Sequence, residues 1–200
     1  YINMYPKSIY YTDIVCVGDD KKGGFSMKKH NSKTINNLCS FEDLIINGNT
    51  ITTSSCIVYK KHIYKVNLFN IDDQYIAWED YDLWLRLSLL KVKFIHIKRP
   101  LTFYYHSPKS ITNSKRIIKI QKAIKEVWFD NKKYNFNKYS ISPPSWYYAN
   151  IILYSNLRDF KKTFINYFYF LGSCFIYFNF RFLLKSNFRI LLFLKLFLIK

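Results

Sequence analysis

No two of the four cysteines, Cys16, Cys39, Cys56 and Cys174, stand close enough to form a CxxC pair. Neither a zinc-site spacing nor a disulfide framework can therefore be read from them, and the apolar runs around Cys16 and Cys56 mark those two as small buried hydrophobes in a reducing compartment. Acids are also scarce, 13 against 31 Lys and Arg, and the imbalance is uneven: residues 1–82 hold 9 Lys and Arg against 10 Asp and Glu, residues 83–200 hold 22 against 3. The net charge of +18 thus belongs to the second half. A nucleic-acid-binding module would interleave its basic residues and aromatics on one surface. Here many aromatics sit in an uncharged block, so no nucleic-acid partner is expected, and a basic, apolar end fits attraction to an anionic surface better. Codon bias alone would also enrich Lys, Asn, Ile, Tyr and Phe. Residues 164–180 carry no charge for 17 residues, short of the roughly 20 that span a bilayer. A charged leader ahead of an apolar core is missing too, and the first residue is Tyr1, so the chain reads as a fragment whose beginning is missing.

What is present suffices for a core. Two hundred residues with 50% apolar content suggest one domain and an appendage. Tyr10 to Val17 is rich in β-formers and reads as a strand, and Gly18 to Gly24 as the turn after it, with Asp13 interrupting the run and Asp19-Asp20 in a solvated turn. Ser40 to Ile46 reads as a short helix with Ser40 as cap and Glu42 and Asp43 in its first turn. Ile51 to Tyr59 is β-prone, and the small side chains of Thr53, Ser54 and Ser55 would let a ligand approach closely. Lys60-Lys61-His62 reads as a solvated strand end.

The densest feature is Ala77-Trp78-Glu79-Asp80-Tyr81-Asp82-Leu83-Trp84-Leu85-Arg86-Leu87. Tyr81, Leu83, Trp84, Leu87 and Leu90 recur at helical spacing, which predicts a helix from Glu79 to Leu90. Glu79, Asp80 and Asp82 fill its first turn, where the helix dipole stabilises each negative charge by about 0.3–1 kcal/mol. That placement alone is ordinary helix chemistry. Three acids so close also repel, an arrangement that raises one carboxyl pKa or recruits a cation. Arg86 stands four residues after Asp82 and is its natural ion-pair partner, leaving Glu79 and Asp80 free for a substrate.

Lys91 to Lys98 alternates as a strand would, Arg99-Pro100 ends or redirects it, and Leu101 to Tyr105 is a second β-like run. His106 follows in a loop with Lys109. Ser114 to Asp130 reads as a basic amphipathic helix, 131–144 as a linker closed by Pro143-Pro144, and Ser145 to Lys162 as one further helix. In the last segment, Arg181, Lys185, Arg189, Lys195 and Lys200 fall within about 140° of arc at about 100° per residue. Such a helix lies in the membrane interface with its basic face toward anionic headgroups; a span or hairpin near 164–180 and docking onto the domain or a partner are the alternatives.

The ordered set Ile51-Thr52-Thr53-Ser54-Ser55, Glu79-Asp80-Tyr81-Asp82-Leu83-Trp84-Leu85-Arg86-Leu87, Pro100-Leu101, Tyr104 and Ser110-Ile111-Thr112 resembles the second half of the family 2 glycosyltransferase domain, of GT-A fold. The resemblance implies an α/β, Rossmann-like partial domain at 1–130, the acceptor-side part, followed by the linker and a helical tail at 145–200. It implies an inverting transferase that moves a sugar from a nucleotide-sugar donor to a glycan or lipid-linked acceptor in surface polysaccharide synthesis, at the cytoplasmic face of the membrane. It implies a divalent cation, Mn2+ or Mg2+, whose main ligands belong to an Asp-x-Asp motif expected in the missing upstream half. Asp80 is then the base, Glu79 its neighbour at the acceptor, and Asp82 with Arg86 a structural ion pair. Ser54, Ser55, Trp78 and Lys109 become candidate donor or acceptor contacts, and His106, one position earlier than the family's His, a candidate ligand of metal or diphosphate. A non-catalytic membrane-associated scaffold is the rival reading.

Overall fold

Strand β1 (Ile9–Asp19) is the axis on which the first part of the molecule is built. The computed structural model describes residues 3–19, 25–105, 123–129 and 142–177. After β1 come β2 (Phe25–His30), α1 (Ser40–Asn47), β3 (Cys56–Ile57), α2 (Lys60–Lys65), α3 (Glu79–Leu89), β4 (Phe94–Tyr105), α4 (Pro144–Asn156) and α5 (Phe160–Ile176). The chain separates into two compact units, Tyr1–Leu44 with Asn49–Asn113, and Ile45–Gly48 with Ser114–Lys200. The first is an α/β unit with a mixed, open four-stranded sheet, compatible with part of a Rossmann-like domain.

β1 pairs in parallel with β4 from Ile9 to Val17. Its other edge is shared by two antiparallel partners, β3 at Tyr10 and Tyr11 and β2 from Ile14 to Asp19. The run from Ser8 to Ile14 is continuously buried instead of alternating, so this part of the strand is covered on both faces. β-Branched and aromatic residues supply that strand.

Three elements differ from the sequence expectation. The two β runs around Arg99-Pro100 form a single strand, β4, because the register shifts around Asp13 and places Pro100 opposite it. A proline has no N–H for the ladder and is accommodated at such a bulge. The β-prone stretch Ile51 to Tyr59 shrinks to two residues because Thr53–Ser55 close into a tight helical turn, the Ser55 N–H and Oγ both donating to the Thr52 carbonyl at 2.8 Å. Local hydroxyl-to-carbonyl bonds of this kind compete with sheet pairing. Lys60-Lys61-His62 opens helix α2 and is no strand end; His62 Nε2 lies 2.6 Å from the Lys7 carbonyl oxygen and its ring meets Tyr59 edge-on.

Helix α1 stops at Gly48, whose φ of 78° is the left-handed conformation glycine adopts without penalty. Helix α3 buries Leu83, Trp84, Leu85 and Leu87 almost completely, and Tyr81 Oη donates to the Leu44 carbonyl.

In the second unit, Pro144 starts α4 at a position where its missing N–H costs nothing. The single helix expected from Ser145 to Lys162 is broken: Arg158 turns to φ 57° and the Asp159 side chain accepts the Lys162 N–H, capping a new helix. α4 and α5 pack through Ile151, Phe170 and Cys174, flanked by Tyr147, Tyr148, Tyr167 and Leu171. Among the described residues no helix is long and apolar enough to cross a membrane. Of the expected helix 114–130 only 123–129 is described, and most of the linker and all of 181–200 lie outside the described residues.

Candidate functional site

A cleft of about 590 Å³ opens in the first unit over one face of the sheet. Register puts its floor together: Ile14 is paired with His30, and Cys16 with Tyr104, so these four side chains share a face. The segment Asn49 to Ser54 forms one wall and Asp80 closes the other side.

Asp80 reaches the cleft because of how α3 begins. Ala77 holds φ at 73°, a conformation costing a residue with a β-carbon about 1–2 kcal/mol, and the chain turns there into the first helical residues. Asp80 Oδ2 accepts the Thr53 hydroxyl at 2.8 Å and Oδ1 accepts the Tyr81 N–H at 2.6 Å. Ala77→Gly should relieve the turn and raise stability by less than about 1 kcal/mol, the relief being partly offset by glycine's greater freedom in the unfolded chain. Urea unfolding reads this directly, and a destabilised variant would contradict the strain.

Burial lifts the Asp80 carboxyl above its usual 3.8; the bonds from Thr53 and Tyr81 pull it back, and the neighbouring Glu79 pushes it up. The native state therefore holds this proton more tightly than the unfolded chain does. Stability falls as pH rises from 3.8 to the raised value, and the loss is complete above that value. Asp80→Asn, which keeps an oxygen for the Tyr81 N–H and offers an amide N–H to the Thr53 hydroxyl oxygen, should accordingly raise the melting temperature at neutral pH and not below pH 3.8. Equal melting temperatures at neutral pH would show that Asp80 bears no such penalty. The Cys56 thiol is pushed up to about 11 by burial and then by the Asp80 charge, so it stays protonated and unreactive at neutral pH.

The other residues singled out in the sequence divide clearly. Ser54 lines the cleft. Ser55 is 6% exposed with its hydroxyl turned to backbone, and Trp78 is 2% exposed, stacked on Tyr75 at 4.7 Å with Nε1 donating to the Gln74 carbonyl. Neither is among the residues that line the cleft, and both side chains are buried. Glu79 sits next to Asp80, and its Oε2 is buried with no hydrogen-bond partner. Asp82 is buried and accepts Arg86 Nε at 2.8 Å, while Arg86 Nη1 donates to the Val66 carbonyl, tying α3 to the end of α2. His106, Lys109, Arg181, Lys185, Arg189, Lys195 and Lys200 lie outside the described residues.

Two arrangements were not foreseen. Thr53, the partner of Asp80, was one of several small residues in a β-prone run, and only the tight turn aims it. Asp13, read as an interruption of its strand, is bonded through Oδ1 to His96 Nε2 at 2.8 Å and to the Ser32 N–H at 2.9 Å, while His96 Nδ1 meets Thr34 Oγ1 at 2.8 Å. Tyr11 stacks flat on the His96 ring at 4.9 Å. A lone acid in an apolar strand and a histidine in an alternating one were the available signals.

Among the described residues no group of three or more His, Cys, Asp or Glu is placed to hold a metal ion. The resemblance places the main ligands of its divalent cation ahead of this chain, and His106 lies outside the described residues. No family model, curated protein or solved structure matches this chain.

Proposed function

We propose that this chain is the acceptor-side part of an inverting glycosyltransferase of GT-A type, similar to family 2. The observation that carries the reading is Asp80: a carboxylate at the edge of an open cleft, buried enough to be a stronger base than a free aspartate, and fixed by Thr53. General-base catalysis needs a carboxyl pKa moved toward the working pH, and burial does that here.

The cleft receives the acceptor. Its hydroxyl proton passes to the Asp80 carboxylate as the hydroxyl oxygen bonds to the anomeric carbon of the donor. The bond from that carbon to the diphosphate breaks on the opposite face, and the nucleoside diphosphate leaves with the electron pair. Ser54 and Tyr104 line the cleft beside the acceptor, and the charge of the neighbouring Glu79 helps to raise the basicity of Asp80. The divalent cation that the resemblance implies would take its main ligands from an Asp-x-Asp motif ahead of this chain and would stabilise the charge of the departing diphosphate. The acceptor is a glycan or lipid-linked hydroxyl in surface polysaccharide synthesis, and the basic segment 181–200 keeps the enzyme at the cytoplasmic membrane surface. Release of nucleoside diphosphate from a panel of nucleotide sugars by the full-length natural protein, with substituted Asp80 as control, tests the reading. Absence of any turnover would favour a non-catalytic scaffold.

A further inference from the structure

A second cavity of the first unit, of about 320 Å³, forms where β1 and β4 begin. The cleft of Asp80 takes Ile14 and Cys16 from further along β1 and Tyr104 from the far end of β4, so the two lie at opposite ends of the strand pair. Parallel pairing brings the strand entrances together. Ile9 stands opposite Phe94, and its N–H donates to the Lys93 carbonyl at 2.8 Å, so Lys7 and Ser8 meet Lys91 and Lys93.

The lining defines what fits. Lys7, Lys91 and Lys93 border the cavity, no Asp or Glu does, and none of the three lysines is ion-paired among the described residues. Ser8 is 5% exposed, lines the same cavity, and its hydroxyl has no hydrogen-bond partner among the described residues. A hydroxyl on so buried a residue is normally satisfied. The open side of this one is the cavity it lines.

The backbone holds two of the lysines at a cost. Lys7 and Lys91 adopt φ of 62° and 56°, a left-handed conformation that costs a residue with a β-carbon about 1–2 kcal/mol. Such strain gathers at ligand sites. From helix α2, His62 Nε2 donates to the Lys7 carbonyl at 2.6 Å and pins the first of these turns.

Three ammonium groups and an unbonded hydroxyl around a small space match a compact oxyanion with several acceptor oxygens. We propose that the cavity between the starts of β1 and β4 binds a phosphoryl group, held by Lys7, Lys91 and Lys93, with the Ser8 hydroxyl donating to one of its oxygens. The group belongs to a soluble phosphate compound or to a lipid headgroup. The site is separate from the cleft and stands whether or not Asp80 catalyses sugar transfer.

The test is calorimetric titration of the full chain with inorganic pyrophosphate, paired with co-sedimentation on phosphatidylcholine vesicles containing phosphatidic acid. Lys91→Gly with Lys93→Gln should weaken binding about tenfold through the loss of two charges, and glycine suits the left-handed turn at 91. Ser8→Ala removes a hydroxyl that no described group uses and should weaken binding about fivefold. Lys29→Gln, on β2 and away from the cavity, should leave it unchanged. Circular dichroism checks each fold, and Ser8→Ala decides the matter if the lysine pair does not fold. Pyrophosphate binding that follows this order supports a soluble phosphate; vesicle binding that follows it, without heat from pyrophosphate, supports a lipid headgroup. Binding of neither probe by the wild type, wild-type affinity in the folded site variants, or equal weakening by Lys29→Gln would overturn the proposal.

Discussion

Asp80→Asn in the full-length natural protein should lower sugar-transfer turnover by about 10²–10⁴-fold, the contribution a positioned general base makes. The substitution is close to isosteric. Asn keeps one oxygen for the Tyr81 N–H, and its amide N–H can donate to the Thr53 hydroxyl oxygen, which turns to accept, so the entrance of α3 should keep its geometry. What it removes is the ability to take a proton from the attacking hydroxyl. Affinity for the donor should change little, because Asp80 acts on the acceptor; a variant that raises KM and leaves kcat intact would make Asp80 a binding residue. The same variant should be more stable than wild type at neutral pH, since the buried charge has gone. Loss of activity joined to a gain in stability separates a catalytic role from a structural one.

Asp13→Ala should destabilise the first unit by roughly 2–5 kcal/mol, read by urea unfolding. Asp13 and His96 are 4% and 3% exposed at their side chains, and one carboxylate oxygen serves both the His96 ring and the Ser32 N–H. Alanine removes the acceptor for two buried groups, and each orphaned group costs about 1–3 kcal/mol. His96 would also lose the bond that orients its ring under Tyr11 and toward Thr34. Asp13→Asn retains an acceptor oxygen and should lose less than half as much. If Asp13→Ala costs under about 1 kcal/mol, the network joining β1, the segment 32–34 and β4 is not what fixes the strand register there.

The elements legible in the sequence were those whose own residues decide them. α3 followed from its apolar period and first-turn acids, ending one residue from where the pattern predicts, and the Asp82 to Arg86 pair followed from helical spacing alone. α1 was readable from its run Ser40 to Ile46 with Glu42 and Asp43 in the first turn, but Ser40, expected as the cap, is the first helical residue, and the Asp43 N–H bonds to the Cys39 carbonyl ahead of it. The central position of β1 was not, because it depends on three partners distant in sequence, and β2 lacks an apolar alternation. The break between α4 and α5 hinges on Asp159 acting as a cap, whereas its sequence context reads as continuous helix. In the cleft, Asp80 and Ser54 were readable from the motif and the small-residue run, while Cys16, His30 and Tyr104 meet only through register and Thr53 is aimed by the tight turn at 53–55. Trp78, expected beside a donor or acceptor, is 2% exposed and stacked on Tyr75, an arrangement that its place next to two acids did not signal.

The claim that Asp80 is the base of this cleft is tested most directly by the pH dependence of kcat/KM for donor turnover, wild type against Asp80→Asn. A base must be unprotonated to act, so wild-type turnover should decline as pH falls through the Asp80 pKa. That acid limb should lie above the 3.8 of an ordinary aspartate, and the residual activity of Asp80→Asn should lack it. An Asp80→Asn enzyme with wild-type turnover and the same acid limb would contradict the account.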